Sequence, residues 1–188
     1  LWKCCNLTIW LLDDELLDLM KQSGCYQIII SVESGNQDVL TKIIHKPLNL
    51  EKVKKIVRKA QEKGFQLISN FVIGLPHETL EQIRDTFDYA EALDIDYVAF
   101  HIATPLPQTE LMDICIEEKL LSYEKDLYDE KKGFTKCMIS TDEFTAREIE
   151  LLRAYEWDRI NFKTQKNKEV VAQINGITLD ELEEWRKD

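Results

Sequence analysis

Three short β-type runs, at residues 27–32, 66–73 and 96–103, each follow an amphipathic stretch of helical period that ends near a glycine or short loop. This alternation constrains the fold more than any other feature. The helix before the first run opens at Asp13-Asp14, carries Leu16, Leu17 and Met20 on one face and stops at Gly24, as expected just past a helix end. The next spans about 50–63 with Val53, Ile56, Val57 and Ala60 as its stripe, closing at Gly64. A third follows Pro76, where Thr79 and Gln82 have capping-box spacing, and runs to about Leu93. Helices alternating with strands through short connections make the strands parallel neighbours. The expected class is therefore α/β, a partial TIM-like (β/α) barrel, with a fourth strand expected over 7–12. Three or four units are too few to close an eight-stranded barrel.

A soft boundary is expected at Leu121. The segment 1–121 reads as barrel, and 122–188 reads as a charged loop followed by a helical extension. Thr145 with Glu148 and Thr178 with Glu181 repeat the capping-box spacing, which predicts helices over about 145–163 and 178–187.

A net charge of −11, with acidic residues spread along the chain, argues against a phosphate backbone or an anionic membrane as partner. No apolar run is long enough to span a bilayer, and the first residues have neither Met nor the layout of a signal peptide. Cys4, Cys5, Cys25, Cys115 and Cys137 form an odd set without Cys-x-x-Cys spacing, so neither a disulfide framework nor a complete metal or cluster site is readable. A reducing cytoplasm is the expected compartment.

Ligands of parallel α/β folds sit beyond the carboxyl ends of the strands. The first run closes Ser31-Val32-Glu33-Ser34-Gly35. Period-two alternation puts Ile28, Ile30 and Val32 on one face, and Ile29, Ser31 and Glu33 on the other. Glu33 either points into the concave side, where a buried carboxylate needs a partner or ligand, or caps the next turn at a solvated strand end. The second run closes Val72-Ile73-Gly74-Leu75-Pro76. There Gly74 either admits close backbone approach by a ligand or marks a sharp bend. The third closes His101-Ile102-Ala103-Thr104-Pro105-Leu106-Pro107, whose two prolines hold an extended exit over the sheet. His101 shares a face with Tyr97 and Ala99. A lone strand histidine is more often a packing residue than a catalyst.

These three strand ends, in this order, resemble the radical S-adenosylmethionine (radical SAM) superfamily, especially members with an upstream cobalamin-binding domain. The matching residues are Ile30 to Gly35, then Val72 to Pro76 with Glu78-Thr79, then Thr104 to Pro107 with Thr109-Glu110-Leu111. The resemblance covers about 12–121. It implies a (β/α)6-type barrel holding S-adenosylmethionine and a [4Fe-4S] cluster, with cobalamin in members that carry the upstream domain. It also implies reductive cleavage of the sulfonium to a 5′-deoxyadenosyl radical, in an iron–sulfur oxidoreductase of unread substrate. By the same resemblance Ser31 and Glu33 contact the ribose or the methionine amino and carboxyl groups. Ile73 and Gly74 pack on adenine, and His101, Thr104 and Pro105 close that side. The family's three-cysteine cluster motif is absent from the sequence. The chain is therefore expected to be the later part of a larger enzyme, inactive and without bound cofactor by itself. The family also favours glycine where His77 and Gln108 stand.

Two rival readings follow. One is a non-catalytic scaffold with a degenerate half barrel. The other takes 170–174, 175–177 and 178–185 as a DNA-binding helix-turn-helix, but the second helix reads Asp180-Glu181-Leu182-Glu183-Glu184, which phosphates repel. An open half barrel is also expected to self-associate through the unpaired edge of its first strand.

Overall fold

The computed structural model describes residues 1–122 and 136–186. Four parallel strands form one sheet in the order β1 (Trp2–Leu7), β2 (Cys25–Glu33), β3 (Gln66–Ile73), β4 (Tyr97–Ile102). The connecting helices are α1 (Asp14–Gln22), α2 (Leu50–Glu62) and α3 (Leu80–Ala92). Each starts where a side chain takes a free amide: Asp13 accepts from Leu16, Asn49 from Lys52, and Thr79 forms the full capping box with Gln82.

The first strand lies earlier than the sequence suggests. Ile9–Leu11 is a 3-10 turn, and Ile9 and Leu12 are buried by it instead of by strand pairing. Trp2–Leu7 lacks alternation because β1 is a largely exposed edge with irregular register to β2. Two further short helices appear, α4 (Glu110–Glu117), capped by Thr109 on the Met112 amide, and a π-type turn at Val39–Ile43 with no side-chain cap.

One face of the sheet is dry. Ile28, Ile30, Val32, Leu67, Phe71, Ile73, Val98, Phe100 and Ile102 pack with Leu17, Val53, Ile56, Val57, Ile83 and Phe87 from the helices in one core. The other face carries Ile29, Ser31, Glu33, Asn70, Val72, Ala99 and His101, all half-buried. Period-two alternation has thus put Ser31, Glu33, Asn70 and His101 on one face, interleaved with Ile29, Val72 and Ala99.

Beyond Leu121 the core continues through Cys137, Ile139, Phe144, Ile149 and Ile160. Leu121 and Ile139 form an antiparallel bridge, and α5 (Ala146–Asn161) lies along β4. The helices α6 (Gln165–Asn175) and α7 (Leu179–Trp185) add a satellite cluster of Phe162, Val171, Ala172 and Leu182. The loop expected over 122–137 falls largely outside the described residues.

Gly35 is fixed by packing. A Cβ there would lie 2.5 Å from Tyr89 Cβ and 2.7 Å from Thr86 Cα, so the chain leaving β2 runs directly against α3. The contact is sealed by the buried Thr86 hydroxyl, which bonds Ser34 Oγ at 3.1 Å and accepts the Gly35 N–H at 3.0 Å.

Candidate functional site

The polar face of the sheet is open at the carboxyl ends of its strands. There β2 breaks register between Ser31 and Glu33, and Glu33 takes φ 76°, a left-handed conformation that costs a non-glycine residue on the order of 1–3 kcal/mol. Lys46 reaches this bulge from the turn after β2. Its Nζ donates to Ser31 O at 2.7 Å and to Glu33 Oε1 at 3.0 Å, with both side chains more than half buried. Glu33 Oε2 takes no hydrogen bond among the described residues.

A cavity of about 450 Å³ lies between Glu33, the turn Ile44 to Pro47, Val72 and Leu75. Its apolar walls strengthen any charge interaction made inside it. Glu33 therefore faces a cavity and is salt-bridged, so it is more than a solvated strand end.

Across the sheet, Ser31 aligns with Asn70, Asn70 with Ala99, and Val72 with His101. Asn70 Nδ2 also donates to Asn6 Oδ1 at 3.3 Å, so a polar row crosses β1, β2 and β3 and ends at Ala99 on β4. Burial holds the His101 imidazole below its usual range, helped by the Arg153 guanidinium and opposed by Glu33. Its surroundings thus favour the neutral imidazole.

Of the residues expected at the site, Ser31, Glu33 and His101 share this face. Ile73 is fully buried on the helix side. Its carbonyl accepts the Ala103 N–H at 2.9 Å, and the Gly74 N–H donates to Glu78 Oε2 at 2.9 Å. The Gly74 N–H is thereby taken, while the Ile73 carbonyl keeps a second lone pair. Gly74 has φ 79°, and Ile149 Cγ2 would sit 3.2 Å from a Cβ there. Thr104 Oγ1 donates to Ile102 O at 3.1 Å, and Pro105 is buried.

Sequence reasoning passed over Lys46, Asn70 and Arg153. Asn70 could have been found from its alternation with Val72, whereas Lys46 and Arg153 arrive from other elements and leave no local signal. It also passed over the environment of Glu78. This residue is fully buried, accepts the Gly74 and Leu75 amides at 2.9 and 3.1 Å, and leaves Oε1 without a partner among the described residues. Burial pushes its carboxyl up to about 7 against those two amides.

The cysteines do not converge. Cys25, Cys115 and Cys137 are buried, Cys4 and Cys5 lie on β1, and no group of three Cys, His, Asp or Glu side chains among the described residues could hold a metal. Burial raises the thiols of Cys115 and Cys137 to about 11, which keeps them protonated and poor ligands. An iron–sulfur cluster does not fit these residues. The salt-bridged carboxylate beside an apolar cavity does fit a small ligand with ammonium or hydroxyl donors.

Residues 4–90 match the radical SAM superfamily. The chain is 37% identical over 126 residues to cytidylyl-2-hydroxyethylphosphonate methyltransferase of Streptomyces wedmorensis, covering 64% of this chain and 24% of that protein. It is 31% identical over 177 residues to a Methanocaldococcus jannaschii protein provisionally named a methylthiotransferase, covering 94% of this chain and 37% of that protein. The chain thus spans well under half the length of these relatives.

Among solved structures it resembles the radical S-adenosylmethionine methyltransferase TsrM from Kitasatospora setae, with cobalamin and a [4Fe-4S] cluster bound. The TM-score is 0.51 at 24% identity, over 57% of this chain and 22% of that one. It also resembles coproporphyrinogen III oxidase from Escherichia coli, a radical SAM enzyme, with a TM-score of 0.54 at 18% identity over 83% of this chain and 30% of that one. Both likenesses bear on the fold, and they agree with a partial α/β barrel.

Proposed function

Through residues 4–90 the chain belongs to the radical SAM superfamily, and on that premise we propose that its concave strand ends bind S-adenosylmethionine within an enzyme that transfers a methyl or methylthio group. The observation that carries this reading is Glu33, held in a strained left-handed conformation with Lys46 at the mouth of a mostly apolar cavity. Strain of this kind persists where the surroundings over-determine it, and it clusters at ligand sites.

In this reading Glu33 Oε2 accepts from the ligand's ammonium or ribose hydroxyls. Lys46 holds the carboxylate in place through Oε1 and the Ser31 carbonyl. Ser31 and Asn70 line the floor, and Ile44, Val72 and Leu75 exclude water. The methyltransferase names of the relatives support group transfer more than oxidoreduction. S-adenosylmethionine supplies the transferable carbon and the radical precursor when bound. The described cysteines form no cluster site, so no redox step is assigned to this chain's residues.

Calorimetric titration of the chain with S-adenosylhomocysteine tests the proposal. Saturable binding that weakens at least tenfold in Glu33→Gln is expected. No saturable binding, or equal affinity in the variant, would sink it and favour the scaffold reading.

A further inference from the structure

Two of the three half-buried arginines face carboxylates. Arg159 lies 2.6 Å from Glu91 and 2.7 Å from Glu156, and Arg186 lies 2.7 Å from Asp158 and 3.1 Å from Glu183. Arg153 is different. It projects from α5 one turn before Trp157, donates from Nε to the Phe100 carbonyl at 3.0 Å, and lies over the Trp157 ring at 5.8 Å. No carboxylate among the described residues is within ion-pair reach of it.

Burial works against its charge, opposed by Tyr97. Among the described residues a partly desolvated cation is therefore left without a counter-ion, an arrangement that an arriving anion stabilises.

The position is also informative. Trp157 Nε1 donates to the Tyr97 hydroxyl at 3.2 Å, which places this stripe of α5 beside the polar face of β4, and the Arg153 charge acts on His101. Glu33 stands on β2, two strands away, or about 10 Å by the usual interstrand spacing. With Nε anchored on the Phe100 carbonyl, neither Nη group takes a hydrogen bond among the described residues, and the two offer the planar fork that grips oxyanions bidentately.

We infer that Arg153 is an oxyanion-binding residue of this face, receiving a phosphate, phosphonate or carboxylate group of the substrate. The inference deepens the reading of the strand ends as the cofactor side of an active site and rests on it, but its probe does not contain the cofactor.

The test titrates the whole chain with inorganic phosphate and, separately, acetate, following the Ala99 and His101 amides by NMR. Saturable shifts with either anion, weakened at least tenfold in both Arg153→Lys and Arg153→Gln and unchanged in Arg147→Gln, are expected, and the two anions distinguish a phosphoryl from a carboxylate group. Arg153→Lys retains the charge and the stem, so it reports on the fork even where the glutamine variant folds poorly. Absence of saturable shifts with both anions, or equal affinity in Arg153→Lys, overturns the inference. So does displacement of phosphate by S-adenosylhomocysteine, which would assign Arg153 to the cofactor's own carboxylate. Phosphate binding with no binding of S-adenosylhomocysteine instead overturns the cofactor reading alone.

Discussion

Asn161, the last residue of α5, pairs with both main-chain groups of Val98: its Oδ1 accepts the Val98 N–H at 2.9 Å and its Nδ2 donates to the Val98 carbonyl at 2.9 Å. The carboxamide thereby stands where a fifth strand would hydrogen-bond, and Arg153 does the same for Phe100 O two residues on. A helix has covered the edge of β4, a device that prevents edge-to-edge association.

Asn161→Ala leaves a buried donor and a buried acceptor of β4 unpaired. We expect a loss of about 2–4 kcal/mol, on the usual scale of an orphaned polar group. Urea unfolding of the variant against the parent chain measures it. A change under about 0.5 kcal/mol would show that water replaces the carboxamide.

Glu78 makes stability depend on pH in the direction opposite to a salt-bridged carboxylate. Its folded carboxyl is raised to about 7 from 4.5, so between those values the native state binds more protons than the unfolded chain. Its contribution therefore falls as pH rises from about 4.5 to 7 and levels off above. The full effect is about 3 kcal/mol for a shift of this size in a fully buried group. The stability difference between the parent chain and Glu78→Gln, followed by urea unfolding across that window, should drift by this amount in favour of the glutamine variant. A flat difference would show that the carboxylate is ionised throughout.

Gln108 and His77 both sit in the left-handed region, with φ of 64° and 65°. This is the physical reason that glycine suits these turns. Gln108 is exposed, so Gln108→Gly relieves strain and is expected to stabilise by about 0.5–1 kcal/mol, net of the entropy glycine adds to the unfolded chain. His77→Gly should gain less, because it also removes the contact of Nε2 with Glu118 at 2.9 Å. Thermal melts of the two variants rank them, and a lower melting temperature for Gln108→Gly contradicts the strain argument.

The local signals in the chain read well where one residue governs its own neighbourhood. Capping boxes at Thr79, Thr145 and Thr178 form as their spacing demands, because the bonds span three residues and need no tertiary partner. Alternation along β2 sorts Ile28, Ile30 and Val32 from Ser31 and Glu33, since the pleat alone determines the face. Helix α6 and the edge strand β1 were not legible in this way. The first follows a weaker polar cap at Thr164, and the second has no buried face to impose a pattern.

The sequence by itself therefore determined the helix and strand alternation, the parallel sheet and which strand residues face inward, all consequences of periods of 3.6 and 2 residues. Only the tertiary structure decided that Lys46 meets Glu33, that Gly35 admits α3, that Glu78 loses water and that α5 closes β4 through Asn161 and Arg153. Each of these joins residues at least 13 apart, or depends on exclusion of water by distant side chains, and no local pattern encodes what arrives from elsewhere in the chain.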